Sequence, residues 1–448
     1  MASKKEAARE EPGRARLALK QTVRALRHRN FRLFLGGQII SVVGTWMQSV
    51  ALSWYVYRLT NSPFLLGLVG FAGQIPSTFL APVAGVWADR LNRHRMVIAT
   101  QVCSMIQALV LAALVLTHRA TIADVILLSL FIGLVNAVDV PARQSFLVEM
   151  VNGKEDLANA IALNSSMFNA ARLVGPSIAG ILIGVVGEGV VFLLNGLSYI
   201  AVIAALLMMR LEPRKGPAKP PEPVFKNLKE GFAYAMGFRP IRSILLLSAL
   251  TSLMGISYSV LLPVVATEVL KGGAHTYGFL VAATGVGALA GAVFLAARSS
   301  VRGLGRVIGL SSLLFSSGLI LLSFSRNLWL STVLLLLAGI GLMSQMASSN
   351  TILQTLVEDD MRGRIMSLYT VAFMGMIPLG SLLSGALATR IGTPRTLLVA
   401  GVSCALGGLA FLRGLPALRR EIRPVYARLG IIPEVASGLE SASQRPPS

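Results

Sequence analysis

Acidic residues are what this chain has least of for its size. It carries 20 Asp and Glu against 41 Lys and Arg in 448 residues, and charged residues make up only 14% of the total. Soluble domains carry about 25% charged residues, so this deficit, beside 54% hydrophobic residues, excludes a water-soluble fold. Cysteine is nearly absent. Cys103 and Cys404 lie inside apolar runs some 300 positions apart, which excludes a disulfide framework and a thiolate metal site and leaves two packing thiols. The four histidines, His28, His94, His118 and His275, all fall at segment ends, so no metal site and no cofactor is implied. An enzyme would need His, Asp, Glu or Cys gathered at one membrane face, and no such cluster is visible. No G-x-x-x-x-G-K-[ST] phosphate loop occurs, which argues against an ATP-driven pump.

What the chain does have is a series of apolar runs of bilayer length, about 20 residues each. They run from Phe31 to Tyr57, Phe64 to Ala88, Met96 to Thr117, Ile122 to Val140, Leu157 to Val186 and Val190 to Met209. A second set runs from Ile241 to Leu270, Tyr277 to Ala297, Val307 to Phe324, Leu328 to Leu356, Ile365 to Ile391 and Arg395 to Leu412. The expected fold is an all-α polytopic membrane protein of twelve transmembrane helices in two pseudo-symmetric six-helix bundles.

The net charge of +21 reads as topology rather than as a nucleic-acid footprint. The first thirty residues are polar and basic with no cleavable signal pattern, which puts the N-terminus in the cytoplasm. Roughly 34 Lys and Arg then fall on the cytoplasmic side, and six, Arg58, Arg119, Lys271, Arg326, Arg390 and Arg395, on the other. Both termini are expected in the cytoplasm of a bacterial inner membrane, with the basic segments attracted to anionic lipid. Only Arg172 is left within a span.

The division expected is a basic tail (1–30), an N-terminal bundle (31–210), a linker (211–240), a C-terminal bundle (241–415) and a disordered tail (416–448). Pro213, Pro217, Pro220, Pro221 and Pro223 mark the linker. Beyond them Val224, Phe225, Leu228, Phe232, Ala235 and Met236 recur at helical spacing, as in an amphipathic surface helix, with a mobile loop as the alternative. The halves echo each other. Ser145 to Val151 aligns with Thr351 to Val357 at an offset of 206, and the same offset carries Ala84-Gly85 onto Ala290-Gly291.

Several strings resemble the major facilitator superfamily, and within it the bacterial exporters related to the enterobactin exporter and macrolide efflux proteins. They are Gly37-Gln38, Gly44 to Gln48, Leu59 to Pro63, Gly85 to Arg95, Asp139 to Phe146, Asn164 through Arg172 to Pro176, and Arg362 to Tyr369. The resemblance covers Asn30 to about Leu415. It implies a secondary active transporter that exports a small hydrophobic or amphipathic compound, such as a drug, macrolide or siderophore, by alternating access, with proton coupling. A lipid transporter of the same fold, for lysophospholipid, is the alternative; a non-transporting membrane sensor is another. The partner is a small-molecule substrate, and the chain is expected to act as a monomer.

Gly85, Asp89 and Arg90 correspond to the superfamily's loop signature between spans two and three. Charge at a helix end can neutralise a neighbouring terminus in one conformation and release it in another, so Asp89 is expected to oppose the start of span eleven near Arg362 and Arg364. Asp139 and Arg143 flank Pro141 at the cytoplasmic end of span four and are expected to join this network. Arg172 must face protein or water, since an Arg at the bilayer centre costs about 2.5–3.5 kcal/mol. With Gly175, Pro176 and Gly180 it resembles the exporter-type bend of span five. The superfamily arrangement places the substrate cavity on spans one, four, seven and ten, with Trp46, Gln48, Asn136, Tyr258 and Gln345 as its polar or aromatic residues.

Overall fold

The computed structural model describes residues 24–151, 153–211, 224–298 and 300–429. Its helices start where the sequence supplies caps. Ser62 accepts a hydrogen bond from the Leu65 amide beside Pro63, Asn92 accepts from Arg95, Thr121 and Asp124 form a capping box, and Asn327 accepts from Leu330. These caps open α2 (Pro63–Arg90), α3 (Arg93–Leu116), α4 (Ile122–Leu147) and α11 (Leu328–Leu356). The first long helix, α1, is Arg29–Thr60.

A helical segment of 54 residues, Lys154–Leu207, follows α4. At 1.5 Å per residue it would extend about 80 Å, far beyond a hydrocarbon core of about 30 Å. Gly187 resolves this. Its φ of 80° and ψ of 169° are non-helical and suited to glycine, and they divide the segment into α5 (154–186) and α6 (188–207). Gly175 of α5 and Asn195 of α6 both meet α1 between Val43 and Gln48, so the chain doubles back at Gly187. Eleven described segments are long and apolar enough to cross a bilayer, and this division makes twelve spans.

The rest are α7 (Val224–Gly237), α8 (Arg239–Val269), α9 (Ala274–Ala296), α10 (Leu304–Phe324), α12 (Asp359–Ile391) and α13 (Thr393–Arg428). Packing divides the chain into one unit of Met1–Pro221 with Ala266–Ala282 and another of Glu222–Val265 with Ala283–Ser448. The boundary falls inside α8 and α9, whereas the expected bundles divide at the linker.

Side-chain pairs in the first unit show which helix ends share a level. Arg24, Arg27 and His28, just ahead of α1, converge on Asp156 in the first turn of α5, with Arg24 Nε 2.7 Å from Oδ1 and His28 Nε2 2.7 Å from Oδ2. Glu155 and Asp156 raise the Arg24 guanidinium above its ordinary range. Arg93 at the start of α3 pairs with Glu149 beyond α4 at 3.1 Å, and Asn30 Nδ2 donates to the Arg210 carbonyl beyond α6 at 2.8 Å. The starts of α1, α3 and α5 and the ends of α4 and α6 therefore lie together, as six alternating spans require. Around them Phe31, Phe34, Phe146 and Leu206 form a fully buried core. In the second unit Arg239 at the start of α8 pairs with Glu421 of α13 at 3.8 Å.

Two boundaries differ from the sequence expectation. Helix α4 continues past Val140 and through Pro141 to Leu147; a proline frees only one intrahelical bond, and neighbouring helices support the turn. Helix α13 continues through Pro416 and Pro424 to Arg428, so the first part of the expected disordered tail is helical. Leu415 and Leu418 are buried there, with Ile422, Val425 and Tyr426 packed beside them. The amphipathic stretch is the helix α7, with Ala235 buried and Phe232 exposed; the side chains of 224–228 lie outside the described residues.

A buried amide ladder joins α1, α3 and α6. Asn195 Nδ2 donates to Gln48 Oε1 at 2.8 Å, and Gln48 Nε2 donates to Gln107 Oε1 at 3.0 Å. Asn195→Leu leaves the Gln48 oxygen unpaired, an expected loss of about 1–2 kcal/mol. In thermal unfolding of the detergent-solubilised protein this should lower the melting temperature by roughly 2–4 °C per kcal/mol.

Candidate functional site

Asp139 is a buried acid of the first unit. Only 4% exposed, it lies eight residues before the end of α4, about 12 Å along the axis, rather than at the helix end. Thr100 Oγ1 and Gln101 Nε2 of α3 donate to its Oδ1 at 2.7 and 2.9 Å. Arg143, one turn on, brings Nη2 within 3.3 Å of Oδ2. Asp139 and Arg143 therefore pair with each other, and α3 supplies two donors that the sequence did not indicate. Burying such a carboxyl is costly unless donors reach its oxygens, and here three side chains do.

Arg143 also stacks on Phe168 of α5, with Cζ 4.9 Å from the ring centroid. One turn further along α5, Arg172 stands over the Trp46 ring of α1 at 5.7 Å. Both arginines thus lie on aromatic faces, where the ring quadrupole attracts the cation. Gly175 lets α5 approach α1: a Cβ there would come within 2.6 Å of Trp46 Cβ. Pro176 lies within the helix, and Gly180 meets α9.

The other expected residues are more scattered. Gln48 is committed to the amide ladder, and Asn136 is exposed on α4. In the second unit Tyr258 packs against Phe315 at 6.1 Å, and Gln345 Nε2 donates to Thr251 Oγ1 at 3.0 Å. Arg362 and Arg364 have acid partners there: Asp359 at 2.6 Å and Glu230 of α7 at 2.6 Å. Gly85, Asp89 and Arg90 occupy the last turns of α2, and their side chains lie outside the described residues.

The family profile described as transmembrane secretion effector matches residues 21–425. The chain belongs to this family, an exporter branch of the major facilitator superfamily. It is a multi-pass membrane transporter of a small molecule and not an enzyme. It is 28% identical to the staphyloferrin A transporter of Staphylococcus aureus, over 83% of this chain and 93% of that one. It is 24% identical to the multidrug efflux pump Tap of Mycolicibacterium fortuitum (86% and 96% covered) and 27% identical to the enterobactin exporter EntS of Shigella boydii (88% and 93%). Among solved structures, the nucleoside transporter NupG superposes with a TM-score of 0.68 at 13% identity, over 87% of this chain and 99% of that one. A bacterial homologue of the lysosomal transporter Spinster superposes at 0.67 and 14% identity (88% and 98% covered), a likeness of fold.

At the far end of the transporter's first unit, α1 and α5 pack against the segment Ala266–Ala282. Tyr57 donates to Glu268, Trp54 and Tyr277 stack with centroids 6.1 Å apart, and Gly180 and Gly278 bring α5 and α9 into backbone contact. Arg58 there pairs with Glu188, 2.9 Å away and just past the Gly187 break. Trp54, Tyr57, Arg58, Asn61 and Glu268 line a cavity of about 250 Å³. None of these contacts was inferred from the sequence. Glu188 was visible as a lone acid between two apolar runs, but its partner Arg58 lies 130 residues away.

Proposed function

We propose that this transporter exports a small hydrophobic or amphipathic compound, a drug, macrolide or siderophore, by alternating access, coupled to a proton that loads on Asp139. The observation that carries the reading is the placement of Asp139: buried in α4, two turns from its end, and held by Thr100, Gln101 and Arg143. Acids kept inside a membrane bundle serve proton relays and substrate paths, because their cost has to be offset by function. A proton on Asp139 cancels the charge that holds Arg143, so loading and unloading alternate Arg143 between a paired and a released state. Export as the direction is supported by the relatives, whose names include an efflux pump and an enterobactin exporter.

The excess of Lys and Arg on one side supports an inner-membrane protein with both termini in the cytoplasm, its basic segments against anionic lipid. Gly85, Asp89 and Arg90 then lie at the cytoplasmic end as the charge element of a gate. The chain works as a monomer in this reading. The test is a substrate screen in inside-out vesicles with and without a pH gradient. Gradient-dependent accumulation of a compound is expected; accumulation that ignores the gradient removes the coupling.

A further inference from the structure

We infer that the transported compound carries an anionic group and that Arg172 receives it; this rests on the transport reading above and names its substrate class. Arg172 lies near the middle of α5, roughly 27 Å along the axis from its start. It is half-buried, and among the described residues no carboxylate pairs with it. Among the described arginines of the unit, Arg24, Arg27, Arg58, Arg93 and Arg143 each pair with an acid, and Arg29, Arg32, Arg95, Arg119 and Arg210, which like Arg172 do not, all lie within about one turn of a helix end.

The local charge does not balance. Phe168 and Arg172 lie one turn apart on one face of α5, and Arg143 covers the ring of Phe168. Arg143 pairs with Asp139, so among the described residues the patch keeps one positive charge, that of Arg172, without a carboxylate partner. A cation in surroundings of low dielectric attracts an anion far more strongly than in water. With Arg172 Cζ over the Trp46 ring, the guanidinium still carries its N–H donors in its own plane. Those donors match the two oxygens of a carboxylate, sulfonate or phosphate, and Trp46 and Phe168 offer aromatic surface to the apolar body of the same compound. A cationic compound at this site meets repulsion instead. The substrate class is therefore an amphipathic anion.

Fluorescein and pyronin Y share a xanthene core and carry opposite charges, which makes them suitable probes. The full-length protein is reconstituted in phosphatidylcholine vesicles, free of anionic lipid, and uptake of each dye down its own gradient is measured. Binding of each dye to the detergent-solubilised protein is followed in parallel. The wild type should bind and move fluorescein, and Arg172→Gln should lose about tenfold or more in both. Arg172→Lys, which keeps the charge without the fork, should fall between them, and pyronin Y uptake should hold or rise in Arg172→Gln.

Uptake of pyronin Y with fluorescein ignored overturns the inference and leaves the transport reading standing. Fluorescein that binds in an Arg172-dependent way but is not moved keeps the inference and overturns transport. Equal loss of both dyes in Arg172→Gln and Arg172→Lys makes Arg172 a packing strut and overturns the inference, as does a wild type that neither binds nor moves fluorescein. Fluorescein binding abolished by adding phosphatidylglycerol assigns the site to a lipid headgroup and overturns it too.

Discussion

Asp139→Asn should reduce gradient-driven accumulation by about tenfold or more while leaving the protein folded and inserted. The amide keeps the size of the carboxylate and an oxygen that can still accept from Thr100 and Gln101. It carries no charge for Arg143 and binds no proton over the working pH range, so the pairing proposed to alternate in the transport cycle is removed. Size-exclusion chromatography checks folding, and inside-out vesicles with an imposed pH gradient check accumulation. Exchange of labelled for unlabelled substrate across the same membrane, which needs no net proton movement, should survive. A variant that accumulates substrate as well as the wild type would take Asp139 out of the coupling step.

The second large effect is expected at the contact between α5 and α9. A Cβ on Gly278 would lie 2.7 Å from the Gly180 Cα and 2.8 Å from the Pro176 carbonyl oxygen. Both are backbone atoms, so no rotamer change relieves the clash. Gly278→Val should therefore push α9 away from α5, loosen the stacking of Tyr277 on Trp54 and expose the Tyr57–Glu268 contact. Transport should fall about tenfold, with a smaller loss for Gly278→Ala. The direct reading is a cysteine at Ser53 in a background lacking Cys103 and Cys404, labelled with a membrane-impermeant maleimide. Several-fold faster labelling in Gly278→Val is the expected result, and unchanged labelling would show that this contact does not shield Ser53.

The spans were legible in the sequence because hydrocarbon tolerates so few alternatives to an apolar helix. Arg172 was legible for the converse reason: a lone base in such a run is costly and attracts attention. Boundaries were less legible. Pro141 reads as a stop in water, yet within a bundle α4 passes through it, and this moved Asp139 from an expected helix end to well inside the helix. Partners were least legible. Gln48, Gln107 and Asn195 are each visible as polar residues in apolar runs, but nothing in a single sequence says that they meet, since the pairing depends on how three distant helices are packed. The same holds for Thr100 and Gln101 at Asp139. The two arginines expected at the Asp89 gate pair within their own unit with Asp359 and Glu230, and one of these acids belongs to a helix that the sequence left open as a loop.

Gly187 has a consequence for how α5 and α6 can move. One extended residue reaches about 3.5 Å, whereas packed helix axes stand about 8–10 Å apart, so the ends of α5 and α6 must turn directly into each other with no slack. In the finished protein the same short link makes the two helices one mechanical part, so that a tilt of α5 carries α6 and its amide ladder with it.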